Sequence, residues 1–479
     1  MNKLIITSLL LGVTTSSVCK ANAIVSVSGK ESKTKAVKER KLKNVERLNI
    51  IVILSDDAGY ADFGFTGSKQ FKTPNIDRLA RNGITFTSAY VTASVCGPSR
   101  AGLLTGRYQQ RFGFIHNNVP GCVNRNAGLW GESMGLPKDQ QTIANFLGKQ
   151  GYQSMIIGKW HQGHGEGYHP LDRGFDHFYG FLGGARSYFT PKRTTPENQL
   201  WNDRIQIKEP GGYLTDHLGD KACNFISDNT QNPFFLFLSF NAVHSPFEAK
   251  ETDLKGQLNL KGGRKTLASM TASMDNAIGK VMQTLKEHNL EENTLIIFTN
   301  DNGGTSYYHS DNTPFSGTKA TNLEGGNRVP FIISWKGHLR PGTFYDYPIS
   351  TLDILPTSLT LAGTNQLPTN LDGVDLMPYL VGEKEGRPHE TLYWMVDGPF
   401  AAIRDLDWKL ILMPDRLPEL YNLADDPSET NNLIDLHRDT ANRLLKQLYQ
   451  WQNQMEPARW QLYKKYEKSA IERFDNFRK

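Results

Sequence analysis

An α/β fold is predicted by this sequence. A large domain is built on a mostly parallel central sheet flanked by helices, and a smaller C-terminal α+β domain carries a short antiparallel sheet. Three observations predict it. Four short, continuously apolar runs read as buried strands, helical patterns alternate with them, and from about Asp372 the texture turns to alternating and turn-rich segments.

At the start of the chain, "MNKLIITSLLLGVTTSSVCKANA" has a basic residue at Lys3, an apolar stretch over 4–13 and a small-residue cleavage site at Ala21-Asn22-Ala23. Residues 1–23 therefore read as an export signal, and the mature protein as periplasmic or secreted. The apolar stretch is too short to span a bilayer, and no later segment reads as a membrane span. Val18 before Cys19 is a poor match to a lipoprotein site. Residues 24–47 are lysine-rich without an apolar face and read as a disordered leader. Residues 1–48 carry ten Lys/Arg and three Asp/Glu, so the chain's net +5 becomes −2 for the remainder. That balance argues against nucleic acid or an anionic membrane as a general partner.

The four strand candidates are "LNIIVILS" (48–55), "QSMIIG" (153–158), "PFFLFLSF" (233–240) and "TLIIFT" (294–299). Helical patterns lie between them at 73–83, 142–151 and 267–289, with Thr73 and Thr142 as N-caps and Gly83 and Gly151 as stops. Residues 48–371 form the large domain and 372–479 the smaller one. In the latter, 390–413 alternates like antiparallel strands, 420–433 is turn-rich, and a helix comes next with Leu444, Leu445, Leu448 and Trp451 on one face.

The residues just past each strand are chemically loaded. The runs lead into Asp56-Asp57, Lys159-Trp160-His161, Asn241 with His244, and Asn300-Asp301-Asn302. Ligands of open α/β sheets bind beyond strand carboxyl ends, so one shared polar site is expected there. Asp56, Asp57, Asp301 and Asn302 are hard oxygen ligands suited to Ca²⁺ or Mg²⁺, although "DDAG" and "DNGG" are also good turn sequences. Lys159 and His161 point the same way in an extended segment. A lysine there can clamp an anionic oxygen and a histidine can move a proton; a surface lysine and a packed histidine are the plain alternative.

"SVCGPSRAGLLTGR" (94–107) places Cys96 at a helix start, with Pro98 in the first turn and Gly106 as the stop. The helix dipole and Arg100 would stabilise an anion there and activate a thiol or whatever replaces it. A small buried capping residue is the alternative. Cys122 and Cys223 remain open as a disulfide or two thiols.

"CGPSRAGLLTGR", "GKWH", "HPLDRGFDHFYGF" (169–181), "TNDNGG", "GTKATNLEGGNRVP" and "LYNLADDPSE", in this order, resemble the type I formylglycine-dependent sulfatases of the alkaline-phosphatase-like superfamily. Gly97 stands where that family more often has Ser, Thr or Ala. The resemblance implies that a maturase oxidises Cys96 to formylglycine, whose hydrate is the nucleophile. It implies Ca²⁺ on Asp56, Asp57, Asp301, Asn302 and the modified Cys96, with Arg100 holding the hydrate. Lys159 and Lys319 would bind sulfate oxygens, His161 would assist sulfate release, and His244 would protonate the leaving alcohol.

Segments 108–135 and 185–213 mix aromatics, cations and amides, as a sugar platform with sulfate contacts would. Arg186, Lys192, Arg193 and Arg204 are the candidates for additional sulfate groups. By analogy with bacterial enzymes, the expected substrate is a sulfated polysaccharide or oligosaccharide, such as carrageenan, another algal galactan or a glycosaminoglycan. A phosphomonoester or phosphodiester hydrolase of the same superfamily, or a non-catalytic binder of sulfated glycan, are the rival readings.

Overall fold

The computed structural model describes residues 48–396 and 400–479. The expected signal (1–23) and leader (24–47) lie outside the described residues. The four apolar runs form strands Asn49–Ser55, Gln153–Lys159, Phe234–Ser239 and Thr294–Asn300. With His177–Phe181 they make a block of five parallel neighbours, in the order Thr294–Asn300, Asn49–Ser55, Phe234–Ser239, Gln153–Lys159, His177–Phe181. The fifth strand, "HFYGF", is too short and too mixed to stand out as an apolar run.

Register, not only order, builds the site. Ser55 lies opposite Asn300, Leu54 opposite Ser239, and Gly158 opposite both Ser239 and Gly180. The parallel strands therefore end on one edge of the sheet, and the residue after each is delivered to the same place. Successive side chains alternate between faces. Ile51 and Ile53 join a core with the helices Pro74–Arg81, Leu214–Asp228 and Gly262–Glu287, while Ile50, Val52 and Leu54 join another with Cys96–Thr105, Ile143–Lys149 and Ile354–Leu361.

The sheet edges depart from the parallel pattern. Phe331–Ser334 runs antiparallel to both its neighbours, Thr294–Asn300 and Ile84–Phe86, and Thr343–Tyr345 closes that side. On the other side Trp201–Asn202 and Ile205–Gln206 add a small hairpin. The ten-strand sheet is thus mixed. The smaller sheet is antiparallel, in the order Thr391–Val396, Phe400–Asp405, Trp408–Leu412, Glu419–Asn422. Helix Arg438–Gln452 seals it with Ala441, Leu444, Leu448 and Trp451, joined by Tyr108 and Leu352 from the large domain. The last residues return: Trp460–Leu462 pairs with Val123–Gly128, and helix Lys465–Asn476 comes after it.

Candidate active site

The edge shared by the parallel strands gathers Asp56, Asp57, Lys159, His161, Asp301 and Asn302, each buried. Asp57 and His161 hold left-handed backbone, φ 60° and 58°. Such geometry costs a non-glycine residue about 1–3 kcal/mol and is retained where packing over-determines it. At position 161 the chain meets Gly184, where a Cβ would lie 2.7 Å from the His161 Nε2, so only glycine fits beside the imidazole.

Helix Cys96–Thr105 points its N-terminus at this edge. Gly106 ends it in left-handed conformation, as the sequence predicts. Val95 offers no side-chain cap; instead the Asn117 side-chain oxygen accepts from the Gly97 N–H at 2.8 Å. A Cβ at 97 would meet the Asn117 and Asn118 side-chain oxygens at 3.0 and 3.1 Å, which gives glycine here a physical reason. The Cys96 Sγ lies 3.5 Å from the Asp56 Oδ1, 3.8 Å from the Asp57 Oδ1 and 3.1 Å from the Lys319 Nζ.

The cations are tied to the carboxylates. Lys159 Nζ is 2.5 Å from Asp56, and Lys319 Nζ is 2.7 Å from Asp57. Arg100 gives its Nε to Asp301 (2.9 Å) and its Nη1 to the Ser239 Oγ (2.6 Å) and the Lys159 carbonyl (3.2 Å). Its Nη2 faces the Asp56 carboxylate at 3.6 Å as an ion pair. His244 places its Nε2 3.6 Å from Asp57 and its Nδ1 2.6 Å from the Ser245 carbonyl.

These surroundings set protonation. Burial, then Asp301, pushes the Cys96 thiol far above its ordinary value. Arg100 is engaged by Asp301 and Asp56. Burial holds His161 well below its usual range, with Lys159 and Arg100 adding to the effect, so its imidazole is neutral. Burial likewise pushes His244 down to about 4, against the pull of Asp57. Lys319 overcomes the burial of Asp57 and keeps that carboxyl ionised far down in pH.

The donors suit a hard cation. Asp56, Asp57, Cys96 and His244 each bring a ligand-type atom within 4.8 Å of one another. Asp301 adjoins through the Asp57 N–H at 3.4 Å, and Asn302 donates to the Asp57 Oδ1 at 2.8 Å while its own side-chain oxygen is buried and unpartnered. Three carboxylates and an orphaned amide oxygen match oxygen-seeking Ca²⁺ better than the single imidazole does.

Asp57, His244 and Lys319 open onto a cleft of about 710 Å³, whose wall also includes Asn117, Thr305, Tyr307, Tyr308, Tyr466 and Arg473. Arg186, Lys192, Arg193 and Arg204, the candidates for additional sulfates, are not among its lining residues. Arg186 is buried in an ion pair with Glu209 (2.8 Å) and Arg204 pairs with Asp172 (2.6 Å). Their charge is already satisfied by carboxylates the sequence brings from elsewhere. Lys192 and Arg193 are exposed on the same excursion. Cys122 and Cys223 are free thiols, the former on the cleft. Sequence reasoning missed Asn117 and also Thr305, which donates to Asp57 at 3.2 Å. Nearness to "TNDNGG" was the only signal for Thr305.

With this geometry in place, comparison with known proteins is informative. The family profile described as Sulfatase matches residues 48–364, and that described as N-sulphoglucosamine sulphohydrolase, C-terminal, matches 319–456. The N-acetylgalactosamine-6-sulfatase of Homo sapiens is 34% identical over 375 residues, 74% of this chain and 69% of that protein. The steryl-sulfatase of Homo sapiens is 32% identical over 440 residues, 75% and 74% of the two chains. Among solved structures, Ps i-CgsB superposes with a TM-score of 0.82 at 34% identity, covering 91% of this chain and 100% of that one. It has also been solved in complex with k-i-k-neocarrahexaose, with a TM-score of 0.81.

Proposed function

We propose that this chain, which belongs to the sulfatase family and is a sulfuric ester hydrolase, acts on a sulfated carbohydrate of the carrageenan or glycosaminoglycan type. The observation that carries this reading is the buried Cys96–Asp56–Asp57–Lys319 cluster opening directly onto a cleft large enough for sugar rings. Bound groups would supply two things: Ca²⁺ on Asp56, Asp57, Asp301 and Asn302 would supply Lewis-acid charge, and formylglycine made from Cys96 would supply the nucleophile.

The chain's own residues do the rest. Lys159 and Lys319 hold sulfate oxygens and offset their developing charge. Arg100, locked by Asp301 and Ser239, fixes position 96. His161, neutral in its buried setting, accepts a proton during sulfate release. His244 is neutral until an anionic ester binds beside it; the proton it then gains goes to the departing alcohol oxygen. We assign the division of the chain at 371/372, export to the periplasm or medium, and dependence on a formylglycine-generating maturase to the same reading.

A desulfation screen over defined sulfated oligosaccharides, reading released sulfate, tests the substrate class. Peptide mass spectrometry of the active preparation should show Cys96 converted to a hydrazine-reactive carbonyl; a uniformly unmodified thiol in an active enzyme would sink the mechanism. Elemental analysis should find one calcium per chain, reduced in Asp301→Asn. Two zinc ions without calcium would favour the phosphate-ester reading.

A further inference from the structure

Part of the cleft wall, Leu462, Tyr466 and Arg473, comes from residues 457–479, beyond the stretches matched by either family profile. This segment is pinned on both lips. Trp460 is buried, packs edge-on against Phe114 (4.9 Å between ring centroids) and donates to the Asn117 carbonyl at 3.2 Å. The Phe477 carbonyl accepts from Gly317 at 2.7 Å, two residues before Lys319, and the Phe477 ring braces Tyr307 edge-on at 4.6 Å.

Between these anchors the charges are unequal. Asp475 takes Arg416, Glu419 takes Arg478, and Glu472 faces Lys468. Arg473 lines the cleft, and its guanidinium has no ion pair or hydrogen bond among the described residues. A favourable interaction with the helix C-terminus would be met by any exposed cation, so it does not account for a position on the cleft. Beside it Tyr307 and Tyr308 remain 51% and 47% exposed, large rings left open at the site's mouth. The only carboxylate among the lining residues, Asp57, is already paired with Lys319.

We propose that Arg473 is a specificity-determining residue: it grips a second sulfate of the same oligosaccharide while Tyr307 supports a sugar ring. The inference rests on the sulfated-carbohydrate reading. A planar guanidinium fork fits a sulfate's oxygens, and the aromatic face fits the apolar face of a sugar. The enzyme would then select multiply sulfated chains over isolated sulfate esters.

The test uses the protein made without maturase, in which Cys96 stays a thiol and ligand binds without turnover. Titration calorimetry with k-i-k-neocarrahexaose and with a monosulfated disaccharide compares the unaltered chain with Arg473→Ala. The hexasaccharide should bind about tenfold more weakly to the variant, the worth of one charge-assisted contact, with the disaccharide unchanged and Arg473→Lys in between. In the matured enzyme, kcat/KM on 4-nitrophenyl sulfate should stay within about twofold, since that substrate does not reach the subsite. Unchanged hexasaccharide affinity, or parallel losses on both sugars with a lowered Tm, would overturn the proposal while leaving the substrate reading intact. No affinity of the unaltered chain for any sulfated glycan would overturn both.

Discussion

Two buried clusters in this protein look alike on paper. At the sheet edge, Lys159 and Lys319 meet Asp56 and Asp57; in the smaller sheet, Lys409 lies between Glu324 and Glu429, 2.8 Å from each. Both place lysine and carboxylates out of water. The difference is what else surrounds them. Lys409 sits under the Trp394 ring (5.5 Å), and Glu324 also accepts from the Tyr90 hydroxyl at 2.6 Å and pairs with Arg328. The sheet-edge cluster keeps both His161 ring nitrogens and the Asn302 oxygen without hydrogen-bond partners among the described residues, and opens onto the cleft. Buried charge alone marks a brace as readily as a site. Unsatisfied polar groups beside an open cavity mark the site.

The most severe trial of this contrast is a pair of substitutions. Cys96→Ala should reduce turnover to background while leaving Tm within a few degrees, because a small residue still starts the helix. Lys409→Ala should do the reverse, costing about 3–5 kcal/mol of stability by stranding two buried carboxylates, with kcat per folded molecule preserved. Denaturant melts and steady-state rates on the same preparations separate the two outcomes; a Lys409→Ala that lost activity at full stability would erase the distinction.

His244 tests the site side more finely. As the leaving-group acid it matters most for poor leaving groups, so His244→Ala should lower kcat on a sulfated oligosaccharide about 10²–10⁴-fold and on an aryl sulfate far less. Equal losses on both substrates would mean that the imidazole only supports the fold.

The brace should report itself through pH. Burial, reinforced by Glu324, pushes Glu429 up to about 7, while Lys409 overcomes the burial of Glu324 and holds that carboxyl below its usual range. A raised acid binds its proton more tightly folded than unfolded. Glu429 therefore contributes most below its ordinary pKa, and that contribution is lost as pH rises through about 7. Glu324 contributes above its ordinary pKa and loses its share as pH falls below it. Replacing Glu429 with Gln should flatten the decline in stability between about pH 5 and 8, measured as denaturant midpoints at constant ionic strength. An unchanged slope would show that Glu429 does not titrate there.

The smallest effect belongs to Gly97. A side chain there presses on Asn117 and Asn118, so Gly97→Ser should cost about 1 kcal/mol and leave the chemistry in place. Restoration of that loss by Asn118→Ala, which frees space without removing the Asn117 cap, would confirm the contact.

The parallel block and its contents were legible in the amino-acid order: four apolar runs, the carboxylates, amides, lysine and histidines just past them, and the helix start at Cys96. These signals are local. A strand's apolar run, a left-handed glycine stop and the residue after a strand are read within a few positions, and parallel pairing then carries the strand ends to one edge. Which cations were free was settled by folding alone. Arg186 and Arg204 meet carboxylates 23 and 32 positions away, whereas Arg473, on a segment that folds back more than 300 residues to Val123–Gly128, meets none among the described residues. Charge pairing and cleft walls arise from contacts between distant segments, and no local periodicity encodes them.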